Sequence, residues 1–490
     1  MSIRDNKPLG MVINAAKPYE FEFIAERSIR IGELVTFETP EGKALGFVKD
    51  SRVNSKLFND EKITNYHAAI EAKMIAGKNE RDKCMVASIN VLGLVDDFEN
   101  NKRTMPSLPP DPGTEIYNAN EEILKKIFIK DGKEWIRVGN LLRGTTDVYV
   151  NINKVASRHL AILATTGSGK SNFLALIIDR LADINGTMIL FDYHGEYRYE
   201  DNKRNIHAIN PHINPYHLTS DEFADMIGIR ENADRQRTTL SEAFRKVKEN
   251  REEKDDIWSR LLRELNTDEK NDVTVRVGEI IRMAQENLQS IFDEDIEDTL
   301  DQIRENKTNI IDMTDLNERQ AIIVISHYLK RILNDRKRRS GRLSAPVLIA
   351  IEEAHAFIPS DKNDKNEAAE IISKIAREGR KFGVGLIIIS QRPRKINQDV
   401  LSQMGSLAIS RIIQPNDQHY IFEVTENIPN ELLEHLPSLN PGEMLLTGQW
   451  ITIPSLVKIE KVNEKLGGSD IDAVNEWSKK REESYDEMII

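Results

Sequence analysis

Residues 160–171 read LAILATTGSGKS: an apolar run at 160–163, a loop containing Gly167 and Gly169, then Lys170 and Ser171 where a helical pattern starts. A strand, a glycine-bracketed turn and a helix N-terminus together form a cradle for phosphate groups. Backbone N–H groups around Gly167, Ser168 and Gly169 wrap the β-phosphate, Lys170 reaches the β/γ oxygens, and Ser171 is placed to hold Mg²⁺. The pattern G-x-x-x-x-G-K-[ST] asks for glycine where Ala164 stands, a mild departure because alanine is small. The strand-like run before the loop and the helix-like run at 173–182 supply the context that separates this motif from a chance match. An ATP-hydrolysing α/β domain is the expectation.

Working outward, apolar strand-like runs alternate with helical patterns at 187–191, 309–313, 347–351, 386–389 and 407–412, the signature of a doubly wound, mostly parallel sheet. The run 347–351 ends in Glu352 and Glu353, which looks like a Walker B strand able to lie beside the phosphate-loop strand. Adjacent strand residues face opposite ways, so the two carboxylates take different parts. Glu352 is expected to steady Mg²⁺ and its waters, and Glu353 to orient and deprotonate an attacking water. A further apolar strand ends in Gln391, a candidate γ-phosphate sensor, followed by Arg392, Arg394 and Lys395. The bland alternative is a polar turn after a buried strand.

On the helical segment 368–382, Ile372, Ile375, Ala376 and Gly379 share one face, while Arg377 and Arg380 point away from it. Arginines off a core face are available to a neighbouring subunit, or are ordinary surface residues. Asp192 and Glu196 follow the run 187–191, expected next to the phosphate-loop strand, as groups supporting the site. His194 and His355 lack zinc-ligand spacing and read as hydrogen-bonded structural histidines.

The rest of the 490-residue chain organises around this core. Short alternating segments from about residue 10 to 94 predict a small β-barrel, domain 1–105, closed by the Pro-rich stretch 105–113. A linker follows at 106–150. The core comprises 151–215 and 307–462, interrupted by a charged helical insertion at 216–306 and followed by a polar tail at 463–490 whose Val474 and Trp477 could dock on another subunit. The single Cys84 excludes an internal disulfide framework and a thiolate zinc cluster. No apolar run approaches a membrane span, so a cytoplasmic protein without a membrane partner is expected. A net charge of −12 argues against a uniformly basic surface and leaves room for a local cationic channel, for which 336–339 with Arg342, and 392–395, are candidates. A solvated helix end is the alternative for the first cluster.

Taken together, ATTGSGKS, FDYHGEY, IEEAH, AREGRKFGVG and SQRP resemble the HerA family of hexameric DNA-translocating ATPases, relatives of FtsK within the RecA-like P-loop group. The likeness spans nearly the whole chain and includes the N-terminal barrel, which is similar to the family's HAS-barrel. It implies ATP and Mg²⁺ as cofactors, Lys170 and Ser171 as their ligands, Glu353 as catalytic base, Gln391 as sensor and Arg380, then Arg377, as an arginine acting across a subunit boundary. Arg137, in the segment IRVGNLL, is implied as a further cation near a neighbour's nucleotide. The full set of expected nucleotide contacts is Thr166, Gly167, Ser168, Gly169, Lys170, Ser171 and Asn172, with Arg158 ahead of the strand. Duplex DNA and a NurA-like nuclease are the implied partners, in a homo-hexamer engaged in DNA end resection and recombination repair. Two alternatives stand beside this: a motor of the same superfamily with another cargo or effector, such as conjugation, packaging or antiviral defence, and a nucleotide-gated clamp that scarcely hydrolyses.

Overall fold

A computed structural model of the chain describes residues 7–55, 66–67, 70, 73–74, 83–99, 102–197, 205–250, 255–267, 272–338, 340–361, 364, 366–424 and 430–462. The expected tail, with Val474 and Trp477, lies outside the described residues. Two compact units emerge, one from residues before Leu174 together with Ile389–Lys461, the other from Leu174–Ile388.

The first unit begins with a closed six-stranded barrel: β1 (Gly10–Ile13), β2 (Glu20–Ala25), β3 (Leu34–Thr39), β4 (Gly42–Ser55), β5 (Lys83–Leu94) and β6 (Glu115–Asn118). Alternation drives it: Phe21, Phe23, Val35, Phe37, Val48 and Ile89 point inward and are almost fully buried. The short β6 closes the cylinder by pairing antiparallel with both β1 and β3. The Pro-rich stretch 105–113 is therefore a connection inside the barrel between β5 and β6, not its end. Proline punctuates a chain without revealing whether the next strand returns to the same sheet.

After the barrel come β7 (Trp135–Leu141), β8 (Asp147–Asn151), a helix at Ile152–Arg158 and β9 (Leu160–Leu163), the strand that feeds the phosphate loop. β7 and β8 form an antiparallel pair. The second unit contains β10 (Thr187–Asp192), β11 (Ile206–Ile209), β12 (Thr308–Asp312), β13 (Val347–Ile351) and β14 (Val384–Ser390), whose last residues pass into the first unit. Its strands run parallel in the order β11, β12, β10, β13, β14. Continuous burial of β10 and β13 explains their unbroken apolar runs, as expected of strands covered on both faces. Between β11 and β12 the chain forms the helices Ser220–Met226, Asp234–Glu249, Ile257–Thr267 and Asp272–Leu288, packed around Phe223, Phe244 and Trp258. The chain then returns to the first unit with β15 (Ser406–Ile409), parallel to β9, and the antiparallel β16 (Glu443–Gly448) and β17 (Ser455–Ile459).

Both edges of β13 are occupied, by β10 and β14, and both edges of β10, by β12 and β13. Neither strand lies directly beside the phosphate-loop strand, contrary to the expectation from sequence. Strand order follows from long-range pairing, which spacing along the chain does not encode.

Candidate active site

In the first unit the loop after Leu163 is held from three directions. Ala164 donates its N–H to the Ser390 carbonyl at 3.1 Å. Thr165 donates its N–H and its hydroxyl to the Arg411 carbonyl, at 3.3 and 2.9 Å. The Ser168 carbonyl accepts from the Gly442 N–H at 2.9 Å and from the Ser410 hydroxyl at 3.2 Å. Ser410, Arg411 and Gly442 carry no motif signal in the sequence; only strand pairing brings them to the loop.

Gly167 and Gly169 adopt φ of +73° and +103°, conformations that glycine accepts without penalty. A Cβ on Gly167 would meet nothing within 4 Å, whereas one on Gly169 would sit 3.1 Å from the Gly442 nitrogen. The loop is thus a cradle with its wall removed at Gly167 and a close backbone approach at Gly169. Ala164 is buried and is not among the positive-φ residues, so the position where the motif asks for glycine places no such demand here. Ala164→Gly is expected to leave ATP hydrolysis within about twofold of the parent, because no strain is relieved. Gly169→Ala should lose roughly ten- to a hundredfold in nucleotide affinity, the equivalent of about 1–3 kcal/mol of backbone strain. An ATPase assay measures the first, and titration with a fluorescent nucleotide the second.

The helix Lys170–Asp183 starts at the end of this cradle, with Lys170 only 5 % exposed and Ser171 half-buried at its N-terminus. Oriented N–H groups, a removed Cβ and a buried lysine suit a polyphosphate, so the residues present fit a nucleotide. Thr166, exposed on the loop, donates its hydroxyl to the side-chain oxygen of Gln391, which brings the expected sensor into contact with the cradle.

Asn172 donates to the backbone carbonyl of Glu460 at 2.9 Å, and the Glu460 carboxylate pairs with Arg137. Arg137 is also held by Asp147 at 2.8 Å. Burial pulls on its guanidinium, but Asp147 and Glu460 outweigh it and hold the pKa above its ordinary value. Arg137 therefore belongs to an ion-pair cluster of its own chain that reaches the phosphate-loop helix through Glu460. Arg158 is placed differently. It precedes β9 while the loop follows it, and four strand residues separate them by more than about 10 Å. Within one chain Arg158 is not gathered with the other expected nucleotide contacts.

In the second unit Glu352 and Glu353 directly follow β13, outside the strand itself. Glu352 is fully buried and Glu353 is 5 % exposed. Glu353 takes φ 44° and ψ 41°, left-handed backbone that a non-glycine residue enters only at a cost of order 1–3 kcal/mol. Its carboxylate lies 3.1 Å from His355 Nδ1 and 3.9 Å from His194 Nε2. The two histidines that carried no ligand spacing are brought together on the expected catalytic base. Buried Asp192 lies beside Glu352, the two side chains being near enough to influence each other. Burial raises the Asp192 pKa against the N–H groups of Tyr197 and Glu196, donated at 3.0 and 3.1 Å. Two neighbouring buried carboxyl groups are a fitting place for a cation, which offsets the cost of burying their charge.

Arg377 and Arg380 are exposed, while Ile372, Ile375, Ala376 and Gly379 are buried. Neither arginine side chain forms an ion pair or hydrogen bond among the described residues. The basic run near 336 behaves otherwise. Arg336 turns inward onto the carbonyls of Phe382 and Leu343 at 2.9 and 2.7 Å, and Lys337 pairs with Glu378 at 3.5 Å. Arg342 pairs with Asp298 and Asp301 at 3.2 and 2.7 Å, and Arg339 lies outside the described residues. That cluster is largely consumed in holding the fold, whereas Arg392, Arg394 and Lys395 remain exposed.

A phosphate cradle on a parallel sheet, followed by paired carboxylates on a second buried strand, defines a P-loop motor ATPase. Residues 136–332 match the model of the helicase HerA central domain. The chain is 36% identical to the DNA double-strand break repair helicase HerA of Sulfurisphaera tokodaii, covering 97% of both chains. It is likewise 36% identical to the protein of that name from Saccharolobus solfataricus, over 97% of this chain and 96% of the relative. Among solved structures, VirB4 of Thermoanaerobacter pseudethanolicus shares the fold, with a TM-score of 0.51 at 18% identity, covering 68% of this chain and 98% of that one. The chain belongs to the HerA helicase family and is an ATPase. No helix among the described residues is long and apolar enough to cross a membrane.

Proposed function

We propose that the protein is an ATP-driven, sequence-nonspecific translocase on duplex DNA that works as a homo-hexameric ring and feeds a NurA-like nuclease in DNA end resection. The observation that carries this is near full-length likeness to helicases of double-strand break repair, joined to a cradle whose Gly167, Gly169 and Lys170 are arranged for polyphosphate. Bound Mg²⁺ supplies charge neutralisation at the phosphates. Ser171 and Glu352 would hold it, with Asp192 beside Glu352 adding negative charge.

Glu353 accepts the proton of the attacking water, and His355 fixes the orientation of its carboxylate. Gln391 reports the state of the cradle through Thr166 to the exposed Arg392, Arg394 and Lys395, which meet DNA phosphates without reading bases. Arg380, supported by Arg377, completes the site of an adjacent subunit. The domain division follows the same reading: barrel for the nuclease partner, core for the motor, and the helical insertion at 216–306 as an elaboration of the core.

The test is ATP hydrolysis with and without duplex DNA. DNA should stimulate the parent in a salt-sensitive way, and Lys170→Ala should lower the rate by at least about 10²-fold, the scale of losing one positioned donor to a developing anion. An undiminished rate in that variant would overturn the site, and a rate indifferent to DNA would favour a nucleotide-gated clamp. Particle mass and copurification with a nuclease test the ring and the partner.

A further inference from the structure

Arg380 sits in a 3₁₀ turn, Gly379–Phe382, that follows the helix Glu367–Glu378. Apolar burial anchors the helix, through Ile371, Ile372, Ile375 and Ala376. It does not anchor the turn, whose one buried residue is Gly379, without a side chain. Glycine is needed there because the chain doubles back tightly: a Cβ on Gly379 would lie 2.5 Å from the Val384 carbonyl oxygen. Apolar packing thus brings the chain as far as the helix end and resumes in buried β14, and the turn between is left to polar contacts.

Those contacts come from the last two residues of the helix Glu318–Lys337. Arg336 donates its Nε–H to the Phe382 carbonyl at 2.9 Å and an Nη1–H to the Leu343 carbonyl at 2.7 Å. Lys337 pairs with Glu378 at 3.5 Å and stands over the Phe382 ring, 5.1 Å from its centroid. The turn is therefore held at both ends, at Glu378 and at Phe382, with Arg380 between the two points. The support behind the guanidinium is fixed as well. Leu343 and Arg342 donate their backbone N–H groups to the buried Asp335 carboxylate, at 2.9 and 3.0 Å. An arginine fork bridging two carbonyls, one of them backed by a buried carboxylate, is a strut of defined geometry and not a loose surface cation.

Such a strut matters for an arginine that serves another subunit. The side chain of Arg380 has no ion pair or hydrogen bond among the described residues, so its backbone is the part its own chain can set in advance. A group that stabilises phosphoryl charge must be delivered to within about 0.5 Å, and a misplacement of about 1 Å costs on the order of 10²-fold in rate. We infer that Arg336 and Lys337 are positioning residues for Arg380, presenting its turn to the nucleotide of the adjacent subunit, an inference that rests on Arg380 acting there.

The experiment is ATP turnover together with nucleotide binding for the parent, Arg336→Lys, Arg380→Ala and the double variant Arg336→Lys/Arg380→Ala, then turnover after mixing with Glu353→Gln chains. Lysine keeps the charge but has no fork to span two carbonyls. Arg336→Lys is expected to bind ATP like the parent and to turn over about 10- to 10²-fold more slowly. The double variant should match Arg380→Ala within about twofold, since a strut without its arginine has nothing to place. On mixing with Glu353→Gln chains, Arg336→Lys should rise above the sum of the two, because its intact Glu353 meets a well-placed Arg380 from the other chain. Parental turnover in Arg336→Lys overturns the proposal, as do losses that multiply in the double variant. So does a mixture that stays at the sum while the Arg380→Ala mixture rises, since Arg336 then serves the site of its own chain. Parental turnover in Arg380→Ala alone removes the premise instead, and the proposal with it, so the two failures are told apart by the single variants. Should Arg336→Lys melt early, Lys337→Gln takes its place in the same cycle and mixture, with a loss of about threefold expected and parental turnover restored in Lys337→Arg.

Discussion

A Glu353→Gln variant is expected to bind ATP with affinity close to the parent and to hydrolyse it about 10²–10⁴-fold more slowly, the range for removal of a positioned general base. The substitution keeps size and hydrogen-bonding capacity but cannot accept the water's proton. His355 Nδ1 at 3.1 Å and His194 Nε2 at 3.9 Å surround that carboxylate, so an amide at the same place keeps a neighbour for its oxygen and the loop retains its shape. The left-handed backbone at Glu353 points the same way. A residue buried to 5 % exposure and held at φ 44° is maintained by its surroundings at a cost, which is how pre-organised catalytic groups are kept. Single-turnover hydrolysis together with equilibrium nucleotide binding measures the prediction. A variant with parental turnover would remove Glu353 as the base, and one that no longer binds ATP would make it a structural residue. His355→Ala should act more mildly, lowering turnover without weakening ATP binding, because it touches the base and not the nucleotide.

Much of this arrangement is legible in the sequence where chemistry is local. The cradle at 164–171 is contiguous, and β13 and β14 are apolar runs with polar residues at one end, so strand, turn and helix can be read in order. Helical periodicity likewise separates Arg377 and Arg380 from their buried neighbours. What is not legible depends on partners far along the chain. Arg137 reads as a lone cation in a strand, yet Glu460, more than three hundred residues later, neutralises it. Arg336 and Arg342 read as a basic patch, but carbonyls and Asp298 claim them. The contact of His194 with Glu353 requires the end of β10 to meet the end of β13, a consequence of parallel pairing that no motif spacing encodes, whereas His355 reaches Glu353 from two residues away. The same holds for Ser410, Arg411 and Gly442 behind the phosphate loop.

Arg380→Ala is expected to produce the largest loss, about 10³–10⁵-fold in turnover, if its guanidinium stabilises charge on a neighbour's transferring phosphoryl group. Within its own unit the side chain is exposed and forms no ion pair among the described residues, so the truncation removes nothing that holds the fold, and the melting temperature should stay within a degree or two of the parent. Arg377, one helical turn earlier and equally exposed, is the internal control: its loss should cost less, because only one of the two can lie closest to the phosphoryl group. The decisive measurement mixes subunits. Arg380→Ala chains carry an intact Glu353, and Glu353→Gln chains carry an intact Arg380. In a ring whose sites form between subunits, mixed assemblies contain interfaces where both groups are present, and hydrolysis rises above that of either variant alone. Were Arg380 to act within its own chain, every chain in the mixture would lack one of the two groups and the activity would stay at the sum of the separate variants. The rise on mixing therefore tests two statements at once: that Arg380 reaches a nucleotide, and that the nucleotide belongs to its neighbour.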